Sequence, residues 1–102
     1  MKQAVIDIGT NTALLLIAEA DRIAQMKVIA DVHSIARLGE RVDQTKQIQP
    51  HSYERLRKIL LNYRGILEEN KVDSVAPIAT SAMRDAVNRA EIINNAKEEC
   101  GF

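Results

Sequence analysis

Residues Gln3–Ile8 read as an apolar strand that breaks at Gly9-Thr10-Asn11-Thr12, after which a second apolar strand, Leu14–Ala20, begins. A chain that opens this way starts as strand–turn–strand. The turn is unusual in what it carries. Gly9 has no Cβ, so its backbone is free to take positive φ and approach a ligand closely. Successive N–H groups in such a turn form an anion-binding concavity. Thr10, Asn11 and Thr12 add hydroxyl and amide donors. Asp7 stands at the strand end, where a carboxylate can hold Mg²⁺ directly or through water. The same residue types also make ordinary hairpins. The pattern matches neither G-x-x-x-x-G-K nor G-x-G-x-x-G.

Bulk properties exclude several classes. The length of 102 residues suits one small domain. Lys plus Arg equals Asp plus Glu at 14 each, so no net field favours nucleic acid or an anionic membrane. Tyr53, Tyr63 and Phe102 are the only aromatics, too few for base stacking. No stretch reaches the ~20 apolar residues of a membrane helix, and the first residues lack a signal-peptide pattern. The single cysteine, Cys100, fits a reducing compartment and reads as a packed, inert thiol. A cytoplasmic location is expected. His33 and His51 are isolated, without metal-ligand spacing.

Further elements follow in order. Asp21-Arg22 reads as a short connection and Gln25–Ser34 as a third strand, with Met26, Val28, Ala30 and Val32 on one face. Residues Ala36–Gln49 form a charged, exposed loop. Pro50 opens a helix, where its missing N–H is harmless. Tyr53, Leu56, Leu60, Tyr63 and Leu67 make its apolar stripe. Arg55, Arg57, Lys58, Asn62 and Arg64 read as its solvated basic face. Asn70 is placed to cap the C-terminus. Val72–Ala79 reads as a fourth strand in which Pro77 requires an edge or a bulge. Thr80–Ala86 turns out of it. Asn88 and Glu91 have capping-box spacing before a last helix with Ile92, Ile93, Ala96 and Cys100 buried, ended by Gly101. The order is β-β-β-α-β-α, an α/β fold with a mixed sheet. If strands one and four are parallel neighbours, their two polar turns open at one sheet edge, beyond the strand carboxyl ends where ligands bind.

Three blocks now stand in matching order: Asp7-Ile8-Gly9-Thr10-Asn11-Thr12, Arg37-Leu38-Gly39-Glu40 and Ala79-Thr80-Ser81-Ala82-Met83-Arg84-Asp85-Ala86-Val87-Asn88. Together they resemble the exopolyphosphatase / guanosine pentaphosphate phosphohydrolase family of the actin-like ATPase superfamily, whose lobes have the ribonuclease H-like fold. The resemblance covers essentially all of residues 1–102, as an incomplete first lobe. It implies Mg²⁺-dependent hydrolysis of a terminal phosphoric anhydride, with inorganic polyphosphate or guanosine pentaphosphate as substrate. By motif position, Gly9, Thr10, Asn11 and Thr12 form the first phosphate loop, and Asp7 orients the metal and its water. Thr80 and Ser81 line the pocket, and Arg84 lies in the cleft as the catalytic and phosphate-gripping arginine. The other reading of Arg84 is a salt bridge with Asp85 or a plain surface charge.

The resemblance also implies partners: the remainder of the lobe, a second lobe and, for the full-length enzyme, a homodimer. The family's second phosphate loop and its catalytic glutamate match nothing in this chain. Glu91, Glu98 and Glu99 read as solvated residues of the last helix. The chain alone is therefore expected to be inactive. Two other function classes stay open: a kinase or ATPase fragment on the same superfamily fold, and a non-catalytic phosphate-binding or assembly module.

Overall fold

The computed structural model describes residues 1–22 and 25–102. Its elements are β1 (Lys2–Ile8), β2 (Thr12–Arg22), β3 (Gln25–Ile35), α1 (Val42–Thr45), α2 (Pro50–Glu69), β4 (Ser74–Ala79), α3 (Ser81–Asp85) and α4 (Arg89–Cys100). The expected order is kept, with two short helices added where turns were expected. Among the described residues the sheet order is β3-β2-β1-β4. β1 is antiparallel to β2 and parallel to β4. β2 continues through Asp21 and Arg22, which the sequence reading gives to a connection. Pro77 is tolerated because β4 is an edge strand.

One face of the sheet builds the core. Ala4, Ile6 and Ile8 of β1 and Ala13, Leu15 and Ile17 of β2 are buried with Leu56, Leu60, Tyr63 and Leu67 of α2 and Ile92 and Cys100 of α4. The opposite face carries exposed Val5, Leu16 and Ile78. β1 is central, as its apolar composition implies, yet only one of its faces is covered. β3 departs from simple alternation. The register shifts between Ile17 and Ala18, whose partners are Ala30 and Val28, so Ile29 is the extra residue. A bulge of this kind re-aims the strand. Ala30 and Val32 pack against the core, whereas Met26 and Val28 project to solvent instead of sharing their face.

Helix α2 behaves as its stripe requires, with Pro50 in its first turn. At its end Lys71 takes left-handed backbone (φ 54°). The Lys71 and Val72 N–H groups donate to Glu68 and Leu67, closing a Schellman-type cap around Asn70. Tyr63 is fully buried, and its hydroxyl donates to the Ala13 carbonyl at 2.9 Å and shares a 2.7 Å hydrogen bond with Ser34 Oγ. This pins α2 to β2 and β3 immediately after the first turn. The basic face is only partly solvated. Arg57 pairs with Glu54 and Glu99, and Arg64 donates to the carbonyls of Cys100 and Gly101. Lys58 and Asn62 are exposed, as expected.

The largest correction concerns residues Ala36–Gln49. This loop is held down by four buried apolar side chains, Ala36, Leu38, Val42 and Ile48. They sit in no helical or strand period, so charge composition alone misreads the segment. A second correction concerns Asn88. It occupies the N-cap of α4 but makes no side-chain cap bond. Its Oδ1 accepts from Ile48 N–H (3.0 Å) and its Nδ2 donates to Ile48 O (3.1 Å). In α4, Ile93 is exposed rather than buried. Gly101 ends the helix in left-handed backbone.

Two outcomes test this packing. Tyr63→Phe removes the buried hydroxyl and is expected to lower stability by about 1–2 kcal/mol in chemical denaturation. A change near zero contradicts the pinning role. Burial, followed by the nearby Glu99 charge, pushes the Tyr53 phenol up to about 12. Its neutral form is favoured in the fold, so its contribution is complete below the unfolded value of about 10 and is lost as pH rises towards the folded value. An ultraviolet tyrosinate titration should show that delayed ionisation; release of all tyrosines at the free value contradicts it.

Candidate functional site at the shared strand edge

The pairing of β1 with β4 ends at Ile8 opposite Ala79, so Gly9 and Thr80 leave the sheet side by side. Thr80 N–H donates to Ile8 O at 3.1 Å, and Thr80 Oγ1 lies 3.4 Å from the same oxygen. β1 and β4 are parallel neighbours, the condition the sequence reading set, and the two polar turns therefore open at one edge. Arg84 follows one helical turn later, its N–H bonded to Thr80 O.

Gly9–Asn11 connects β1 to β2. Gly9 does not use the left-handed backbone that its missing Cβ permits. Close approach explains the glycine instead: a Cβ there would lie 3.0 Å from Thr12 O, which accepts the Gly9 N–H at 2.9 Å. Two carbonyls of the turn are taken. Asn11 O accepts from Ala36 and Arg37 N–H, both at 3.0 Å, and Thr10 O accepts from Gly39 N–H at 2.9 Å. The N–H groups of Thr10 and Asn11 have no acceptor among the described residues. Both residues are exposed. The turn thus offers two free N–H donors beside two occupied carbonyls, a polarity that suits an anion.

Asp7 lies in β1 between Leu14 and Ile78. Its Oδ1 is buried with no hydrogen-bond partner, an uncommon state for a carboxylate oxygen. A hard cation coordinated mainly by water and substrate phosphate fits one such oxygen. Among the described residues no group of three or more His, Cys, Asp or Glu side chains makes a fuller metal cage. Ser81 and Arg84 are exposed, with Arg84 Nη2 3.5 Å from Ser81 Oγ. No ion pair joins Arg84 to Asp85 among the described residues, so the guanidinium is not committed to that neighbour.

The loop from Ala36 to Ile48 joins both halves of this edge. Its first part holds the Thr10 and Asn11 carbonyls. Its last part meets the Thr80–Asn88 block, through Val87 N–H to Lys46 O at 2.7 Å and through the Asn88–Ile48 pair. Gly39 is required by contact: a Cβ there would overlap Thr10 Cγ2. Glu40 accepts from Arg55 Nη2 at 2.7 Å and lies 3.1 Å from His51 Nε2. The Arg55 hydrogen bond, then that of His51, holds its carboxyl below the usual range. These bonding roles of Gly39, Arg55 and Asn88 were not visible in the sequence. The signal available was Gly39 itself, a glycine in a segment with no other turn residue beside it.

Comparison with known proteins places this geometry. The sequence model of the Ppx/GppA phosphatase family matches residues 16–102. Exopolyphosphatase 2 of Mycobacterium tuberculosis is 40% identical over 89 residues, covering 84% of this chain and 28% of the relative. A crystal structure of the Aquifex aeolicus family member superposes with a TM-score of 0.95 at 32% identity, covering all of this chain and 33% of that one. An exopolyphosphatase from Cytophaga hutchinsonii gives 0.94 at 29% identity, covering 100% and 32%. The chain belongs to the Ppx/GppA phosphatase family and has its actin-like lobe fold. It spans about a third or less of the length of these relatives.

Gly39→Ala should displace the Thr10 side chain from its present rotamer. The expected readout is a change in the Thr10 methyl and amide shifts by NMR. Unchanged Thr10 signals contradict the contact.

Proposed function

We propose that this chain forms one wall of a cleft that hydrolyses the terminal phosphoric anhydride of inorganic polyphosphate or guanosine pentaphosphate. The observation that carries the proposal is the convergence of the Gly9–Thr12 and Thr80–Arg84 turns beyond Ile8 and Ala79, with Asp7 Oδ1 unpartnered beside them. Family membership and the exopolyphosphatase names of the relatives support the same reaction class.

The roles follow from the chemistry of each group. The Thr10 and Asn11 N–H groups and the hydroxyls of Thr10 and Thr12 hold non-bridging phosphate oxygens. Thr80 and Ser81 add hydroxyls from the second turn. Asp7 would hold Mg²⁺, directly or through water; when bound, the ion neutralises phosphate charge. Arg84 grips a phosphate in bidentate fashion and stabilises the charge that spreads over the equatorial oxygens in the transition state. Phosphoryl transfer requires mostly positioning and charge neutralisation, and these residues supply both. The resemblance assigns the general base to no residue of this chain. Among the described residues no helix is long and apolar enough to cross a membrane.

The test uses the full protein as its gene encodes it. Arg84→Ala and Asp7→Asn are each expected to lower Mg²⁺-dependent phosphate release from polyphosphate by about a hundredfold or more, the scale of losing one charge-stabilising group. Wild-type rates in both variants contradict the assignment. Release from guanosine pentaphosphate, measured alongside, separates the two substrates. The isolated 102-residue chain is expected to release no phosphate.

A further inference from the structure

We propose that Arg55 is a positioning residue for the phosphate turn: its guanidinium fixes residues Ala36–Glu40, and these fix the Thr10 and Asn11 carbonyls. The proposal rests on the reading of Gly9–Thr12 as phosphate-binding. Arg55 lies in the second turn of α2. Its Nε donates to Ala36 O at 2.9 Å. Its Nη2 is 2.7 Å from Glu40 Oε2, 3.3 Å from Arg37 O and 3.3 Å from Ser52 Oγ. Ser52 is fully buried, and Leu56, Leu60 and Tyr63 of the same helix are locked into the core. One side of the guanidinium is therefore a rigid base.

Its other side is a single layer of peptide. Ala36 and Arg37, whose carbonyls accept from Arg55, donate their own N–H groups to Asn11 O. Gly39, one residue before Glu40, donates to Thr10 O. Arg55 thus bonds the two residues that hold Asn11 O and the side chain of the residue next to the one that holds Thr10 O. While those carbonyls are held, the Thr10 and Asn11 N–H groups stay free for an anion.

The loop also needs an external hold. Arg37 and Arg41 both sit in left-handed backbone, at φ 51° and 63°. Such conformations at non-glycine residues persist only where the surroundings over-determine them. The Asn88–Ile48 bonds fix the far end of the loop, while its first half is held by the buried Ala36 and Leu38 side chains and by the polar contacts of Arg55. An ordinary surface ion pair with Glu40 would not use Nε on a backbone carbonyl. A planar fork spanning two carbonyls and a carboxylate is a task lysine cannot perform.

The experiment is a calorimetric titration of the full protein with Mg²⁺ and imidotriphosphate, whose P–N–P bridges resist hydrolysis, comparing wild type, Arg55→Met, Arg55→Lys and Glu40→Ala. Circular dichroism and thermal melts report whether each variant folds. The expected result is intact folding with affinity about tenfold weaker in Arg55→Met, nearly as weak in Arg55→Lys and about threefold weaker in Glu40→Ala. Wild-type affinity in Arg55→Met overturns the proposal and leaves the phosphate reading standing. Full rescue by lysine also overturns it, since charge would then suffice. If Arg55→Met does not fold, Glu40→Ala decides, and unchanged affinity there overturns it. No binding by wild type removes the phosphate reading and this proposal together.

Discussion

The site depends on the parallel pairing of β1 with β4. Both strands end at the same level, Ile8 opposite Ala79, so both turns emerge together. The register is held at both ends. At the start, Lys2 N–H donates to Asp73 Oδ2 (2.8 Å), Asp73 N–H donates to Lys2 O (2.9 Å), and Lys2 Nζ donates to Asn70 O (3.0 Å). At the finish, Thr80 closes on Ile8. A slip of one residue would turn Ile6 and Ile8 away from the core and carry Asp7 to the wrong face. Core burial and site geometry are therefore one constraint.

The loop between β3 and α2 turns that alignment into a built edge. Without it, the Gly9–Asn11 connection would be a free hairpin tip. With it, the Thr10 and Asn11 carbonyls are occupied and the N–H donors of the same residues remain. The same segment, through Lys46 and Ile48, fastens the Val87–Asn88 corner, so the loop that contains the Arg37–Glu40 block bonds to both of the other blocks. This gives the Arg37–Glu40 block a physical reason to accompany the other two.

Much of this was legible in the sequence because period and turn chemistry are local. The α2 stripe, the Asn70 cap and the central place of β1 follow from spacing and residue type; the shared edge needed the β1–β4 adjacency that the fold supplies. What was missed depends on tertiary contact. Leu38 and Ile48 are buried by the elements they meet, with no period of their own. The Ile29 bulge shifts the faces of β3, and nothing in its composition marks the position. Asn88 has the right spacing for a capping box, yet the Ile48 backbone competes for its amide and wins. At Gly9 the close contact with Thr12 O, and not the positive φ that a missing Cβ also permits, requires glycine.

The central claim is that an anion sits between the two turns. The most direct measurement is the amide NMR spectrum of the full protein, selectively labelled and titrated with Mg²⁺ and imidotriphosphate, a polyphosphate mimic that resists hydrolysis. The account predicts that the Gly9, Thr10, Asn11, Thr12, Thr80 and Ser81 amides shift together with one dissociation constant. Shifts confined to other regions, or to one turn alone, would contradict it.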